Sequence, residues 1–245
     1  MNEGMTFWDH LDELRTVIIR SLIVIGIMAV IAFCLKDWLF AIVLAPSSSD
    51  FIIYRWMGIP PFTLHLMNTG LTEQFMIHMK VALYTGLLVA SPYIIYSIFG
   101  FVAPGLYTNE QQAARRVATA AYAMFLLGTL LNYLLIFPLT VRFLGTYQVS
   151  EAVDNMLTIQ SYVDTLISMS LVMGIVFELP VVSAILGRMG IINRSIMREY
   201  RRHAIVGILV VSAIITPTTD VITLFIVAMP IWLLYEISIL LIRSH

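Results

Sequence analysis

Polar residues interrupt this chain only at intervals, and the apolar runs between them have the length that a membrane sets. A helix needs roughly 20 mostly apolar residues, at about 1.5 Å each, to cross a hydrocarbon core of about 30 Å. Six runs follow that pattern: 17–35, 75–99, 117–138, 162–187, 204–215 and 221–242. The first carries Arg20, the second Lys80 and Pro92, the fourth Asp164, Glu178 and Pro180, and the sixth Pro230 and Glu236, whereas the third holds no charge. The fifth has only 12 residues before Thr216-Pro217-Thr218-Thr219, about 18 Å of helix. It either forms a re-entrant hairpin with the sixth run or belongs to a short pair that thins the bilayer locally. The pair is the favoured reading, because six spans return both termini to one side and the charges agree.

Under six spans, Arg15, Arg20, Arg115, Arg116, Arg188, Arg194, Arg198, Arg201, Arg202 and Arg243 fall on the side of the termini. Lys36, Arg55 and Arg142 fall opposite, and Lys80 lies within a span. Basic residues are retained in the cytoplasm, so both termini are expected there. On the outer side, Lys36 to Leu44 is amphipathic enough to lie on the interface with Trp38 as its anchor. Pro46 ends it, Ser47 to Asp50 form a solvated turn, and residues 51–74, with Tyr54, Trp56 and Pro60-Pro61, are expected to be an ordered cap.

Composition sharpens this picture by exclusion. With 60% hydrophobic and 12% charged residues in 245, and a mean hydropathy of +0.90, the chain cannot clothe a water-facing surface, so the bilayer is its solvent. A net charge of −1 argues against a nucleic-acid partner, which requires a basic surplus. Cys34 is the single cysteine, and no cleavable signal peptide is expected because no small-x-small site closes the first apolar run. The histidines His10, His65, His78, His203 and His245 are dispersed, and no His-Glu-x-x-His, Gly-x-Ser-x-Gly or phosphate-cradling Gly-Lys-Ser/Thr pattern occurs. Neither an enzyme nor a metal or cofactor site is expected.

The polar residues that remain are few enough to weigh singly. Thr6 with Asp9 forms a capping pattern that starts a helix running into the first span, and Asp9, Asp12 and Glu13 share one face of it. That face is either a solvated helix start, with Arg15 at the interface, or an acidic patch for a cationic ligand. The connection from Phe99 to Gln111 is unusually apolar, with Phe101, Leu106 and Tyr107 beside Glu110, while Thr108 and Gln111 fit a capping box for the third helix. Glu178 lies about 13 Å from its span's cytoplasmic end, where a carboxyl is either functional or bonded to the Val176 carbonyl that Pro180 frees. Glu236 lies about 10 Å from Arg243 along its helix and snorkels in the simplest reading, and Asp220 caps the sixth helix.

Seven motifs, in this order and on these sides, resemble the TatC family, the receptor subunit of the twin-arginine protein translocase. They are His10 to Arg15 (His-Leu-x-Glu-Leu-Arg), Ala45-Pro46, Ala90-Ser91-Pro92, Phe101 to Tyr107 followed by Glu110, Phe177-Glu178-Leu179-Pro180, Thr216-Pro217 with Asp220, and Ala228-Met229-Pro230 with Glu236. The resemblance runs from residue 10 to about residue 240. It implies an all-α polytopic protein, one membrane domain over residues 1–245, folded as a cup-shaped bundle of six spans with the fifth and sixth short. It also implies a bacterial cytoplasmic-membrane protein that binds Arg-Arg signal peptides of folded cargo and recruits single-span TatA and TatB, or a bifunctional TatA, driven by the proton-motive force, with self-association. By the same resemblance Glu13 and Glu110 are the peptide-binding carboxylates, Phe101, Leu106 and Tyr107 add apolar contact, and Arg15 orients the acidic patch. Glu178, on the concave side, and Glu236 become polar contacts within the membrane, and Pro46 and Asp220 become outer-side assembly positions. Two departures stand out: Gln111 and Gln112 replace basic residues that some relatives carry there, and Asp12 adds a carboxylate beside Glu13. A reading from another class is a small-solute or proton-coupled transporter using Glu178, distinguished by solute uptake into liposomes holding this protein alone.

Overall fold

A computed structural model describes residues 7–62, 64–106, 111–147, 156–216 and 220–242. Its elements are α1 (Phe7–Cys34), α2 (Lys36–Leu44), a 3-10 turn (Ala45–Ser47), α3 (Ile52–Trp56), β1 (Leu66–Met67), α4 (Glu73–Leu106) and α5 (Gln111–Leu131). A π turn (Asn132–Ile136), α6 (Phe137–Thr146), β2 (Leu157–Thr158), α7 (Ile159–Val176), α8 (Leu179–Arg188), α9 (Arg194–Glu199), α10 (Arg201–Ile215) and α11 (Val221–Leu241) follow. The fold is all-α apart from one two-residue parallel pairing, Leu66 with Leu157 and Met67 with Thr158. Among the described residues, five helical stretches are long and apolar enough to cross a membrane: Leu11–Cys34, Glu73–Phe101, Arg115–Thr146, Ile159–Arg188 and Val221–Leu241. The chain is a multi-pass membrane protein. The short fifth run forms α10, which starts three residues earlier than expected and has 15 residues, about 22 Å. Two compact units divide the chain, residues 1–39 with 78–123 and residues 40–77 with 124–245.

Two expected boundaries move. The apolar connection starting at Phe99 is helix as far as Leu106: Pro104 withholds one hydrogen bond, to the Gly100 carbonyl, and does so in the last turn, where little helix remains to be disrupted. The third span does not stop at Pro138 but continues to Thr146. A proline ring in an α-helix collides with the carbonyl four residues back, and a local π turn is one way to pass it. Here the Phe137 N–H donates to the Asn132 carbonyl, five residues back, immediately before Pro138. In α4 the same problem is solved by a side chain: Pro92 cannot bond the Leu88 carbonyl, and the Ser91 hydroxyl donates to it at 2.7 Å. The Ala90-Ser91-Pro92 motif is thus a helix that keeps its backbone satisfied in an apolar layer.

The cap between α1 and α4 solves a larger version of that problem. As expected, residues 36–44 form a helix, with Trp38 exposed at 77%, but the carbonyls of its last turn have no helical partners. The Ile42 carbonyl accepts from the Tyr133 hydroxyl at 2.7 Å, Val43 from the Tyr162 hydroxyl at 3.0 Å, and Leu44 from the Ser47 hydroxyl at 2.7 Å. Ala45 then accepts from the Ser48 amide at 3.1 Å. The fully buried Tyr54 shares its hydroxyl between the carbonyls of Pro46, 3.0 Å, and Pro138, 2.8 Å. Glu73, which the sequence reading passed over, holds the approach to α4: its Oε2 accepts from the amides of Thr69 and Gly70 at 2.9 and 2.7 Å.

Tyr54→Phe removes the donor that these two carbonyls share. It is expected to lower the unfolding free energy by about 1–3 kcal/mol, read as a lower thermal midpoint of the detergent-solubilised protein. Burial holds the Tyr54 hydroxyl above its ordinary value of 10.0, with Arg142 opposing the shift. Its contribution is therefore complete below pH 10.0 and declines as the pH rises further, a decline that Tyr54→Phe removes.

Candidate functional sites

In the first unit, α1 and α4 are fastened at two levels. The His78 ring stacks on Phe33 with centroids 4.0 Å apart and an interplanar angle of 11°, and its Nε2 donates to the Phe33 carbonyl at 3.1 Å. Further along, the backbones close up at Gly86, where a Cβ would lie 2.6 Å from the Ala29 nitrogen. Small residues of this kind let membrane helices approach. The later residue of α4 meets the earlier residue of α1, so the two helices are antiparallel. Glu13 lies about 24 Å before Ala29, and Phe101 about 22 Å beyond Gly86, so these two site residues reach the same level. Tyr96, on α4, donates to the Thr119 hydroxyl of α5 at 2.6 Å, while Thr119 donates to the Arg115 carbonyl at 2.9 Å. Glu13 and Phe101 are half-buried and Arg15 is exposed. Leu106 ends α4, whereas Tyr107, Thr108 and Glu110 lie outside the described residues, as does Thr6 of the expected amino-terminal cap.

In the second unit, α5 and α7 meet along another seam of small residues. A Cβ on Gly128 would lie 2.6 Å from the Met173 carbonyl oxygen, and one on Gly174 would lie 2.7 Å from the Phe125 ring. Beside this seam, the Asn132 amide donates to the Ser170 hydroxyl at 2.8 Å, and Asn132 is fully buried with its Oδ1 unpaired. Ser170, Gly174 and Glu178 recur every fourth residue, so they follow one face of α7 to its end. Glu178 sits in the break between α7 and α8, which α8 resumes with Pro180 at its start. Its Oε1 is buried and has no hydrogen-bond partner among the described residues, so the bond to the Val176 carbonyl does not occupy that oxygen. Asn132 carries no charge, so a count of charges along the third span does not reveal it.

Glu236 is held by an ion pair. Arg201, at the start of α10, reaches its Oε2 at 2.6 Å, and Arg243 lies outside the described residues. Asp220 caps α11 as expected, its Oδ1 accepting from the Thr223 amide at 2.7 Å. Pro46 is buried, with its carbonyl held by Tyr54. Thus Glu13, Arg15 and Phe101 belong to one compact unit, and Pro46, Glu178, Asp220 and Glu236 to the other.

A sequence model of the family described as Sec-independent protein translocase protein (TatC) matches residues 9–230. The chain belongs to the TatC family. It is 33% identical over 236 residues to the TatC protein of Deinococcus radiodurans, covering 96% of this chain and 85% of that one. It is 35% identical to the TatC of Desulforapulum autotrophicum, covering 97% and 84%. The crystal structure described as twin arginine translocase receptor TatC in DDM superposes with a TM-score of 0.80 at 32% identity, covering 96% of this chain and 99% of that one. As a TatC-family member, the chain is a component of a protein translocase with transmembrane helices.

The unpaired Glu178 and the paired Asn132 separate site from scaffold. Glu178→Gln breaks no hydrogen bond and is expected to leave the thermal midpoint of the purified protein unchanged. Asn132→Ala strips the Ser170 hydroxyl of its partner and is expected to cost about 0.6–1.7 kcal/mol, read as a lowered midpoint in the same assay.

Proposed function

We propose that this chain is the receptor that binds twin-arginine signal peptides of folded proteins and nucleates their export complex. The observation that supports this reading most directly is the antiparallel register of α1 and α4, which brings Glu13 to the level of Phe101. α4 ends at Leu106 and α5 begins at Gln111, and Glu110 directly precedes α5 in the sequence. An arginine pair offers two planar guanidiniums, each of which prefers a bidentate carboxylate, so it needs more than one acid. Glu13 and Glu110 supply them, Phe101, Leu106 and Tyr107 contact the apolar side chains next to the arginines, and Arg15 orients Glu13.

Glu178, buried in part and without a partner on its buried oxygen, is the intramembrane point at which a signal-peptide helix or a single-span TatA- or TatB-type partner docks. Pro46 and Asp220 act through the shape of the outer side during assembly with these partners and with further copies of the chain. Residues 1–245 work as one membrane domain in the bacterial cytoplasmic membrane with both termini inside, and the proton-motive force drives transport.

Replacing both carboxylates, Glu13→Gln with Glu110→Gln, is expected to weaken crosslinking to an Arg-Arg signal peptide by about 100-fold or more, given about 1.5–3 kcal/mol for each charge-assisted bond. The helical circular dichroism of the purified variant stays that of the parent. Crosslinking at the parent level in a folded double variant would sink the assignment.

A further inference from the structure

The segment from Arg188 to His203 carries five arginines, no lysine and one carboxylate, Glu199. Membrane topology requires only that basic residues be on one side, and lysine serves it as well as arginine. Here the fold holds the arginines at a particular depth. The short α9 is seated on the end of α11: Met197 packs against Ile239 and Ile242, with Ile192 and Tyr235 around them. The Tyr235 hydroxyl donates to the Met197 carbonyl at 2.8 Å. Arg194 and Arg198 flank Met197 four residues apart, so they are neighbours along one side of this docked helix.

The next helix fixes the level. With 15 residues, about 22 Å against a hydrocarbon core of about 30 Å, α10 draws the headgroups down to its ends. Arg201 and Arg202 begin it. Arg201 is taken by Glu236, and it is the one arginine of this segment with an ion pair among the described residues. Arg188, Arg198 and Arg202 are exposed. Arg194 is half-buried, and its Nε is shielded from solvent with no acceptor among the described residues. A shielded guanidinium N–H on Arg194, with Arg198 one turn along α9 and Arg202 in the first turn of α10, suits a phosphate oxygen, which takes two parallel N–H bonds from a planar fork.

We propose that Arg194, Arg198 and Arg202 form a binding site for the phosphate headgroup of an anionic phospholipid, retained at the junction of α9, α10 and α11. The site is independent of the signal-peptide reading, since it uses none of those residues.

The test uses the full chain in detergent micelles doped with equal amounts of phosphatidylglycerol, phosphatidylethanolamine and phosphatidylcholine, with bound lipid counted by native mass spectrometry. Phosphatidylglycerol is expected to be enriched on the parent protein. At about fivefold per guanidinium, Arg194→Gln with Arg198→Gln lowers its affinity about 25-fold. The charge-matched pair Arg115→Gln with Arg116→Gln, on α5, leaves it in place. Retention of the three lipids in proportion to the bath overturns the proposal on the parent protein alone, whether or not any variant folds. An equal loss in both variant pairs reduces the effect to net charge and overturns it too. Displacement of the lipid by millimolar inorganic phosphate, or by an acidic peptide, assigns the arginines to another ligand.

Discussion

In hydrocarbon no water stands ready to pair a stray carbonyl, so every break in a helix must be answered from within the chain. The cap between α1 and α4 depends on the same demand. Five consecutive carbonyls, Ile42 to Pro46, lie where α2 ends and the chain turns, and each has a donor: tyrosines from α3, the π turn and α7, one serine hydroxyl and one amide. The tyrosines are suited to the task because the ring packs in apolar surroundings while the hydroxyl reaches the backbone. Tyr54 is fully buried and edge-on to Phe62, 4.9 Å between centroids, and Tyr162 packs edge-on to Phe137 at 5.0 Å. The cap is therefore fixed by hydrogen bonds of which two donors, Tyr54 and Tyr162, are also core residues, which gives the buried Pro46 its structural meaning.

Between the helices the constraint is different. Lipid tails are as apolar as leucine, so hydrophobicity cannot tell helices how to pair, and close approach at small residues takes over. Gly86 against Ala29, and Gly128 and Gly174 against α7 and α5 in turn, leave no space for a Cβ. These contacts fix register, and register carries function: the level shared by Glu13 and Phe101 follows from where Gly86 and His78 fasten α4 to α1. A substitution many residues away from a carboxylate would move it by sliding its helix.

The long apolar spans, the helix at 36–44 and the Asp220 cap were legible because each depends on local pattern: a run of apolar residues, a short amphipathic stretch closed by Pro46, an acid just before a helix. The family was legible because its motifs occur in order. The helix running to Leu106 and past Pro138 was not, because proline signals a stop unless its surroundings reward continuation, and only the three-dimensional environment supplies a π turn at Asn132 or an answering Ser91. Asn132 and Ser170 were hidden for another reason. Each is an unremarkable polar residue in an apolar run, and their significance lies in meeting across two helices 38 positions apart.

The pairing of Arg201 with Glu236 was equally non-local, and helix electrostatics explain why it forms. Arg201 opens α10 and Glu236 lies near the end of α11, so each charge sits at the unfavourable end of its own helix dipole. The two helices are consecutive in the chain, and the pair joins the start of one to the end of the other, so they run antiparallel. Each residue is thereby brought to the favourable end of its neighbour. With the arginine 46% and the glutamate 25% exposed, solvent screens the pair, so it contributes less to stability than to position. It fastens the start of α10 to the end of α11.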